Sequence, residues 1–201
     1  MKQISKFIRI YSGIDLIRVI YSFLTTRVFF SKSRLIRQPF YIRGKKYINL
    51  GNGLTTGVGC RLDAFPMNKT LCIEIGNNVE INDYVHIGAI KSVKIGNNVL
   101  IASKVFITDH NHGSYGNNNR HDTPDLPPKE RELSFAPVLI EDNVWIGEFV
   151  SILPGVTIGK GSIIGTMSVV TKNIPPYSIA VGSPARVVKK FNFETKKWEK
   201  F

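Results

Sequence analysis

Cut into sixes from Ile140, residues 140–176 read IEDNVW, IGEFVS, ILPGVT, IGKGSI, IGTMSV and VTKNIP, with one proline left over. An aliphatic residue opens every block, at Ile140, Ile146, Ile152, Ile158, Ile164 and Val170. Four residues later comes a small or β-branched side chain: Val144, Val150, Val156, Ser162 or Ser168. A helix repeats every ~3.6 residues and an open strand every ~2, so a period of six fits neither. It fits a parallel β-helix, in which each short side carries one hexapeptide and three sides close a coil of about 18 residues. The opening aliphatics then stack along the axis, and Gly and Asn take the corners that need positive φ. The expected fold is an all-β solenoid.

Upstream the same register is interrupted but recognisable. Ile42, Ile48 and Leu54 lie six apart after Phe40. The pattern lapses over residues 60–70, around Pro66 and Asn68, and resumes at Ile75, Ile81 and Ile87. It slips by two across residues 89–91 and returns at Ile95, Ile101 and Ile107. IGNNV stands at 75–79 and again at 95–99, an interval of one coil plus that slip. Residues 109–137, DHNHGSYGNNNRHDTPDLPPKERELSFAP, have no period at all. A long loop breaking a regular solenoid is usually functional. Pro175-Pro176 is expected to end the coil, and GSPARVVKK to lead into a basic tail with a short helix from Phe193.

The expected organisation is an amphipathic helical segment over 1–34, the solenoid over 35–182 with its inserted loop at 109–137, and a basic tail over 183–201. Apolar residues in the first segment recur largely at helical spacing, from Ile4 to Leu24, but Lys6, Arg9, Asp15 and Arg18 interrupt them. No uninterrupted run approaches the roughly 20 residues of a membrane span, and no cleavage site follows an apolar core. Two readings stay open: a helix packing on the solenoid's open end, or a basic amphipathic helix resting on an anionic membrane.

Lys and Arg outnumber Asp and Glu by 27 to 15 in 201 residues, a formal charge of +12. Such a balance favours nucleic acid, anionic lipid or a phosphorylated small molecule. No basic motif interleaved with aromatics supports nucleic acid as a partner. Cys60 and Cys72 are too few for a disulfide framework, which suits a reduced cytoplasm. Asn68-Lys69-Thr70 matches a glycosylation sequon, which carries no meaning without export.

TDHNH, NVWIG, LPGVTIGKGSIIG, SVVTKNIPP and VGSPARVV, in that order, resemble the hexapeptide-repeat acyltransferases. The resemblance implies a left-handed β-helix, a hand the period alone does not give and crossover statistics would oppose. It further implies acetyl transfer from acetyl-CoA, no metal, and a homotrimer with active sites between subunits. RLIRQPFYIRGKKYINLG, GVGCRLDAF and VFITDHNHG are most similar to bacterial O-acetyltransferases of lipopolysaccharide O-antigen synthesis. The implied acceptor is a sugar or oligosaccharide of a surface polysaccharide or its precursor; the expected place is the cytoplasm, with peripheral membrane contact where residues 1–30 take the amphipathic reading given above.

Acetyl transfer to a hydroxyl needs a base for the alcohol proton, stabilisation of the oxyanion and a grip on the CoA arm. A neutral imidazole within hydrogen-bond reach is the natural base. His110 opens the inserted loop after the strand-like Val105 and Ile107, and falls where the family's catalytic histidine is expected. His112, two residues on, competes for the role. Asp109 is a candidate to orient an imidazole, although adjacent side chains rarely face one another. His86, Asp83 and Trp145 are candidates for the acceptor pocket, with Trp145 implied to serve a neighbouring subunit. For the acetyl donor the resemblance implies Gly147 and Glu148 near the thioester, where Glu148 departs from the usual Ser or Ala. It also implies Gly165 and Thr166 beside the pantetheine, and Thr171, Lys172, Arg186 and Lys189 at the phosphates, the last three supplying the charge. Two other readings stand beside this one. One is N-acetylation of an amino sugar or antibiotic on the same scaffold. The other is a γ-carbonic-anhydrase-like zinc hydratase, which needs three imidazoles at a spacing that His110 and His112 do not show.

Overall fold

Short parallel strands run round the chain in threes, so that each strand pairs with its counterparts one coil below and above. The computed structural model describes residues 12–116 and 120–201. The apolar positions before Ser12 therefore lie outside the described residues. The first face stacks β1 (Leu35–Ile36), β4 (Thr55–Thr56), β7 (Glu80–Ile81), β10 (Leu100–Ile101), β15 (Trp145–Ile146), β18 (Ile163–Ile164) and β20 (Ser178–Gly182). The second stacks β2 (Phe40–Arg43), β5 (Cys60–Ala64), β8 (His86–Ala89), β11 (Phe106–Thr108), β16 (Ser151–Ile152) and β19 (Val169–Val170). The third stacks β3 (Ile48–Asn49), β6 (Ile73–Ile75), β9 (Val93–Ile95), β14 (Val138–Ile140) and β17 (Thr157–Ile158).

The six-residue period is the reason for this stacking. On the second face Ile42, Leu62, Ile87, Ile107, Ile152 and Val170 sit in register, one above the next. On the first face the column runs Ile36, Thr56, Ile81, Ile101, Ile146, Ile164 and Ala180, all buried. Each buried aliphatic contributes about 1.5–3 kcal/mol by leaving water. Thr56, not Leu54, holds the rung in the second coil. Leu54 is buried two residues earlier, where its equivalent in the next coil is Val79.

Corners depart from the Gly and Asn expectation. Asn78, Asn98 and Asn143 do take φ of 55–60° at one corner, but Tyr84, Lys104, Phe149 and Met167 take φ of 57–59° at another. Coil-to-coil hydrogen bonds hold these bulky residues there: Tyr84 N donates to Val58 O (2.8 Å), Lys104 N to Asp83 O (2.8 Å), Phe149 N to Ser103 O (3.1 Å) and Met167 N to Glu148 O (2.8 Å). A ladder of this kind over-determines a backbone conformation that costs about 1–3 kcal/mol per residue in isolation.

Helix α1 (Gly13–Phe29) is capped by Ser12, whose Oγ accepts from Asp15 N at 3.2 Å. It packs at the open end of the solenoid with a hydroxyl-bearing face. Buried Thr26 Oγ1 accepts from Ile36 N (2.8 Å), and buried Ser22 Oγ from Gln38 N (3.0 Å). Among the described residues no coil lies below β1, so its amides need acceptors from elsewhere. Ile14, Ile17, Tyr21, Leu24 and Val28 are left exposed on the helix.

The C-terminal end corrects the expected tail helix. After Pro175-Pro176 the chain adds one more rung, β20, then folds back as β21 (Ala185–Asn192) and β22 (Lys197–Lys200) in antiparallel pairing. Phe191 faces Trp198 across the strands (centroids 5.3 Å), and Phe193 packs edge-on against Phe191 and Tyr177. Asn192 Oδ1 accepts from Glu194 N and Thr195 N, turning the chain where a helix would otherwise start. Cys60 and Cys72 are buried free thiols, and burial pushes both up to about 11, so neither behaves as a nucleophile.

Candidate active site

The two-residue slip at 89–91 and the start of the inserted loop meet at a single carboxylate. Asp109 is fully buried (0% exposed). Its Oδ1 accepts from Ile90 N at 3.0 Å, and its Oδ2 from Lys91 N and Ser92 N at 2.7 Å each. The extra residues of that coil thus wrap their amides round the side chain that follows β11. Burial alone would raise this carboxyl. The His110 hydrogen bond and the three amides outweigh it, so Asp109 lies below the usual carboxylate range.

His110 Nδ1 lies 2.9 Å from Asp109 Oδ1 and 3.2 Å from Thr108 Oγ1. Adjacent side chains therefore do meet here, against the sequence expectation. The chain leaves the second face at this corner, with Asp109 turned inward and the ring swung over it. An ionised carboxylate can only accept, so Nδ1 carries a proton, and in the neutral imidazole Nε2 is then the nitrogen with the lone pair. Beyond it the chain runs out as a ribbon, β12 (His110–His112) antiparallel to β13 (Leu133–Phe135).

A small cavity of about 110 Å³ opens at the imidazole, lined by Asp63, Phe65, His86, Gly88, Phe106, Thr108 and His110. In-register stacking on the second face builds it: His86 pairs with Phe106, and Asp63 with Gly88 and then Thr108. Gly88 keeps the floor open, since a Cβ there would sit 3.6 Å from His110 Cε1 and 3.7 Å from His86 Nε2. His86 Nε2 is 3.1 Å from Asp63 Oδ2, and Arg61 also contacts its ring. Burial first, and the Arg61 charge second, hold His86 below the ordinary histidine value.

The other expected site residues divide by their place on the solenoid. His112 is exposed farther along β12 and does not line the cavity; its carbonyl accepts from Tyr115 Oη. Asp83 stands away from the cavity as a corner cap, its Oδ1 accepting from Val58 N at 2.8 Å. Trp145 lies on the outer side of the first face, half exposed. Gly147 and Glu148 share the corner between first and second faces with Gly165 and Thr166. Gly147 N and Gly165 N are spent on Ile164 O and Ala180 O (2.8 Å each), so neither serves a thioester oxygen. Both glycines nevertheless let coils approach closely: a Cβ at Gly147 would meet Thr166 N at 2.7 Å. Thr171 and Lys172 are exposed on the His110 edge two coils on, while Arg186 and Lys189 are exposed on β21.

Sequence reading missed Asp63, Arg61, Phe106, Thr108 and Gly88. A signal was available. Arg61, His86 and Phe106 each precede a stacked aliphatic, and Asp63, Gly88 and Thr108 each follow one. Aligning the coils across the slip would have grouped them. Among the described residues no group of three His, Cys, Asp or Glu could hold a metal.

Comparison with known proteins places the chain among acyl-transferring relatives. Residues 137–172 match the family model described as bacterial transferase hexapeptide (six repeats). A candidate lipopolysaccharide biosynthesis O-acetyl transferase, WbbJ of Escherichia coli (strain K12), is 48% identical over 198 residues, covering 98% of this chain and 100% of its own. A galactoside acetyltransferase solved in complex with coenzyme A superposes with a TM-score of 0.51 at 32% identity, covering 79% of this chain and 62% of that one. AntD, an N-acyltransferase from Bacillus cereus solved with dTDP-4-amino-4,6-dideoxyglucose and coenzyme A, superposes with a TM-score of 0.67 over 92% of each chain. At 23% identity that likeness speaks for the fold alone.

Proposed function

Because the chain belongs to the hexapeptide-repeat bacterial transferases, we propose that it moves an acetyl group from acetyl-CoA to a sugar hydroxyl of a bacterial surface polysaccharide or its precursor. The observation that carries this reading is the Asp109–His110 pair, Nδ1 2.9 Å from Asp109 Oδ1, with His110 lining the cavity. The acceptor hydroxyl gives its proton to Nε2 as its oxygen bonds to the thioester carbonyl carbon. The C–S bond then breaks, and the proton passes from Nε2 to the departing CoA sulfur. Asp109 stays ionised throughout and holds Nδ1–H. Glu148 and Thr166 border the donor's path, with Lys172, Arg186 and Lys189 as countercharge for its phosphates. The full-length relative named for lipopolysaccharide O-acetylation supports the acceptor class.

The solenoid winds left-handed, as in the family, and works as a homotrimer. His110 sits on one edge of the prism, Trp145 on the first face, and Gly147 and Gly165 on another edge. A single chain does not gather these groups at one point, whereas a threefold arrangement sets one chain's edge against its neighbour's.

Mass spectrometry of surface polysaccharide from cells with and without the gene tests the reaction. Loss of one acetyl group per repeat unit is expected, and unchanged acetylation on every sugar would remove the reading.

The protein works at the cytoplasmic face of a membrane, held there by α1. Its exposed apolar stripe is flanked by Arg18 and Arg27, and no described helix is long and apolar enough to span a bilayer. Apolar area plus cationic charge is what holds an interfacial helix on anionic lipid. Flotation with vesicles of phosphatidylglycerol should recover the protein at low salt, and Ile17→Glu with Leu24→Glu should leave it in the pellet. Recovery of that double variant at wild-type level would show that the helix is not the anchor.

A further inference from the structure

The second face carries a charged cluster that the chemistry at His110 does not use. Asp63, only 7% exposed at its side chain, is gripped from two coils. Arg43 reaches it through Nε (2.7 Å) and Nη2 (3.1 Å), and Arg61 through Nε (3.1 Å). Arg61 Nη2 also meets the His86 ring at 3.0 Å. Both arginine side chains are about half exposed, 56% and 44%. These bonds occupy Nε and Nη2 of each guanidinium, and among the described residues nothing hydrogen-bonds to either Nη1, which leaves it for a ligand. Two guanidinium cations against one carboxylate leave one net positive charge, and His86, held below its ordinary value by burial and by Arg61, adds none at neutral pH.

Position gives the cluster its meaning. Asp63 and His86 line the His110 cavity, while Arg43 and Arg61 line an open groove with Phe40, Tyr41 and Ile42 directly below it. Neighbouring strands are about 4.8 Å apart, so Arg61 on β5 stands roughly 10 Å from the β11 strand that delivers His110. That is the reach of one sugar ring and a substituent. Asp63 braces both forks from behind, so little side-chain entropy is lost when they close on an anion.

We propose that Arg43 and Arg61 form an acceptor subsite for an anionic group, phosphate or carboxylate, one sugar unit from the hydroxyl that reacts at His110. The subsite makes the enzyme selective for a charged acceptor over its neutral counterpart. It rests on the acetyltransferase reading for the identity of the reacting hydroxyl, but anion binding itself does not depend on turnover.

The test follows the arginine Nε–H resonances of the full chain by NMR, with coenzyme A present to fill the donor's own phosphate contacts. The probes are inorganic phosphate, glucuronate and neutral methyl glucoside. Saturable shifts at Arg43 and Arg61 are expected with one or both anions and not with methyl glucoside, weakening with salt. Which anion binds more tightly identifies a phosphate or a carboxylate source. Arg61→Ala should lower anion affinity about tenfold, the effect of losing one charge-assisted hydrogen bond. Arg61→Lys, which keeps Asp63 paired and guards against misfolding, should fall between the two. Absence of saturable shifts at both arginines, or anion affinity unchanged in both variants, would overturn the proposal. Acetyl transfer is assayed on the same preparations. No transfer to any sugar, with anion binding intact, would remove the acetyltransferase reading and leave this subsite standing.

Discussion

His110→Ala should lower kcat by about 10²- to 10⁴-fold, the range for losing a positioned general base. The Kd for acetyl-CoA should hardly move, because the imidazole lines the second-face cavity and not the Gly147–Gly165 corner proposed for the donor. His112→Ala, made in parallel, should cost far less, since His112 lies outside that cavity. Full activity in His110→Ala would end the histidine-base mechanism. Activity lost only in His112→Ala would move the base two residues along β12.

Asp109 should show the second large effect, and its two simplest variants should fail differently. Asp109→Ala leaves the amides of Ile90, Lys91 and Ser92 without their acceptor in a buried corner. Each unsatisfied amide costs about 1–3 kcal/mol, so the loss is about 3 kcal/mol or more, a large part of a typical stability of about 5–15 kcal/mol. A lowered melting temperature would register it, and an unchanged one would deny the amide cradle any weight. Asp109→Asn keeps the shape but offers an N–H₂ group. If that group turns to His110, Nδ1 must accept and the proton moves to Nε2, the wrong nitrogen for a base. An activity loss of about 10²-fold or more, with acetyl-CoA binding intact, is the expected signature. Wild-type kcat in Asp109→Asn would reduce the carboxylate to a structural role.

The same residue sets a direction for acid stability. Its folded-state carboxyl is depressed, so it contributes stability fully above the unfolded carboxylate value of about 3.9 and loses it as pH falls through the lower folded value. Wild type should therefore weaken below about pH 4 more steeply than Asp109→Asn.

Much of the solenoid was legible because its cause is local in the sequence. A stacked aliphatic every six residues buries the same column in each coil, and the run from Ile140 to Val170 therefore specifies faces, spacing and core without knowledge of any partner. His110 was legible too, since it stands where a regular strand gives way to an irregular loop. The groups that surround it were not. Asp109 meets Ile90, Lys91 and Ser92 only because one coil carries two extra residues, and their amides converge on it across 17–19 positions of sequence. Arg43, Asp63, Arg61 and His86 lie on three different coils, and they become neighbours only through strand pairing.

The ends of the chain divide the same way. Helical periodicity predicted α1, yet which side it would bury was decided by the unpaired amides of β1, which drew in Ser22 and Thr26 and left the aliphatic side outward. The basic tail was expected to carry a short helix from Phe193, but the open edge of β20 offered hydrogen bonds that the tail meets as strands. A repeating hydrophobic period is written into consecutive residues, and the sequence alone determined the solenoid for that reason. Hydrogen bonds and ion pairs between coils depend on which residues the winding sets side by side, and that was decided by the tertiary structure.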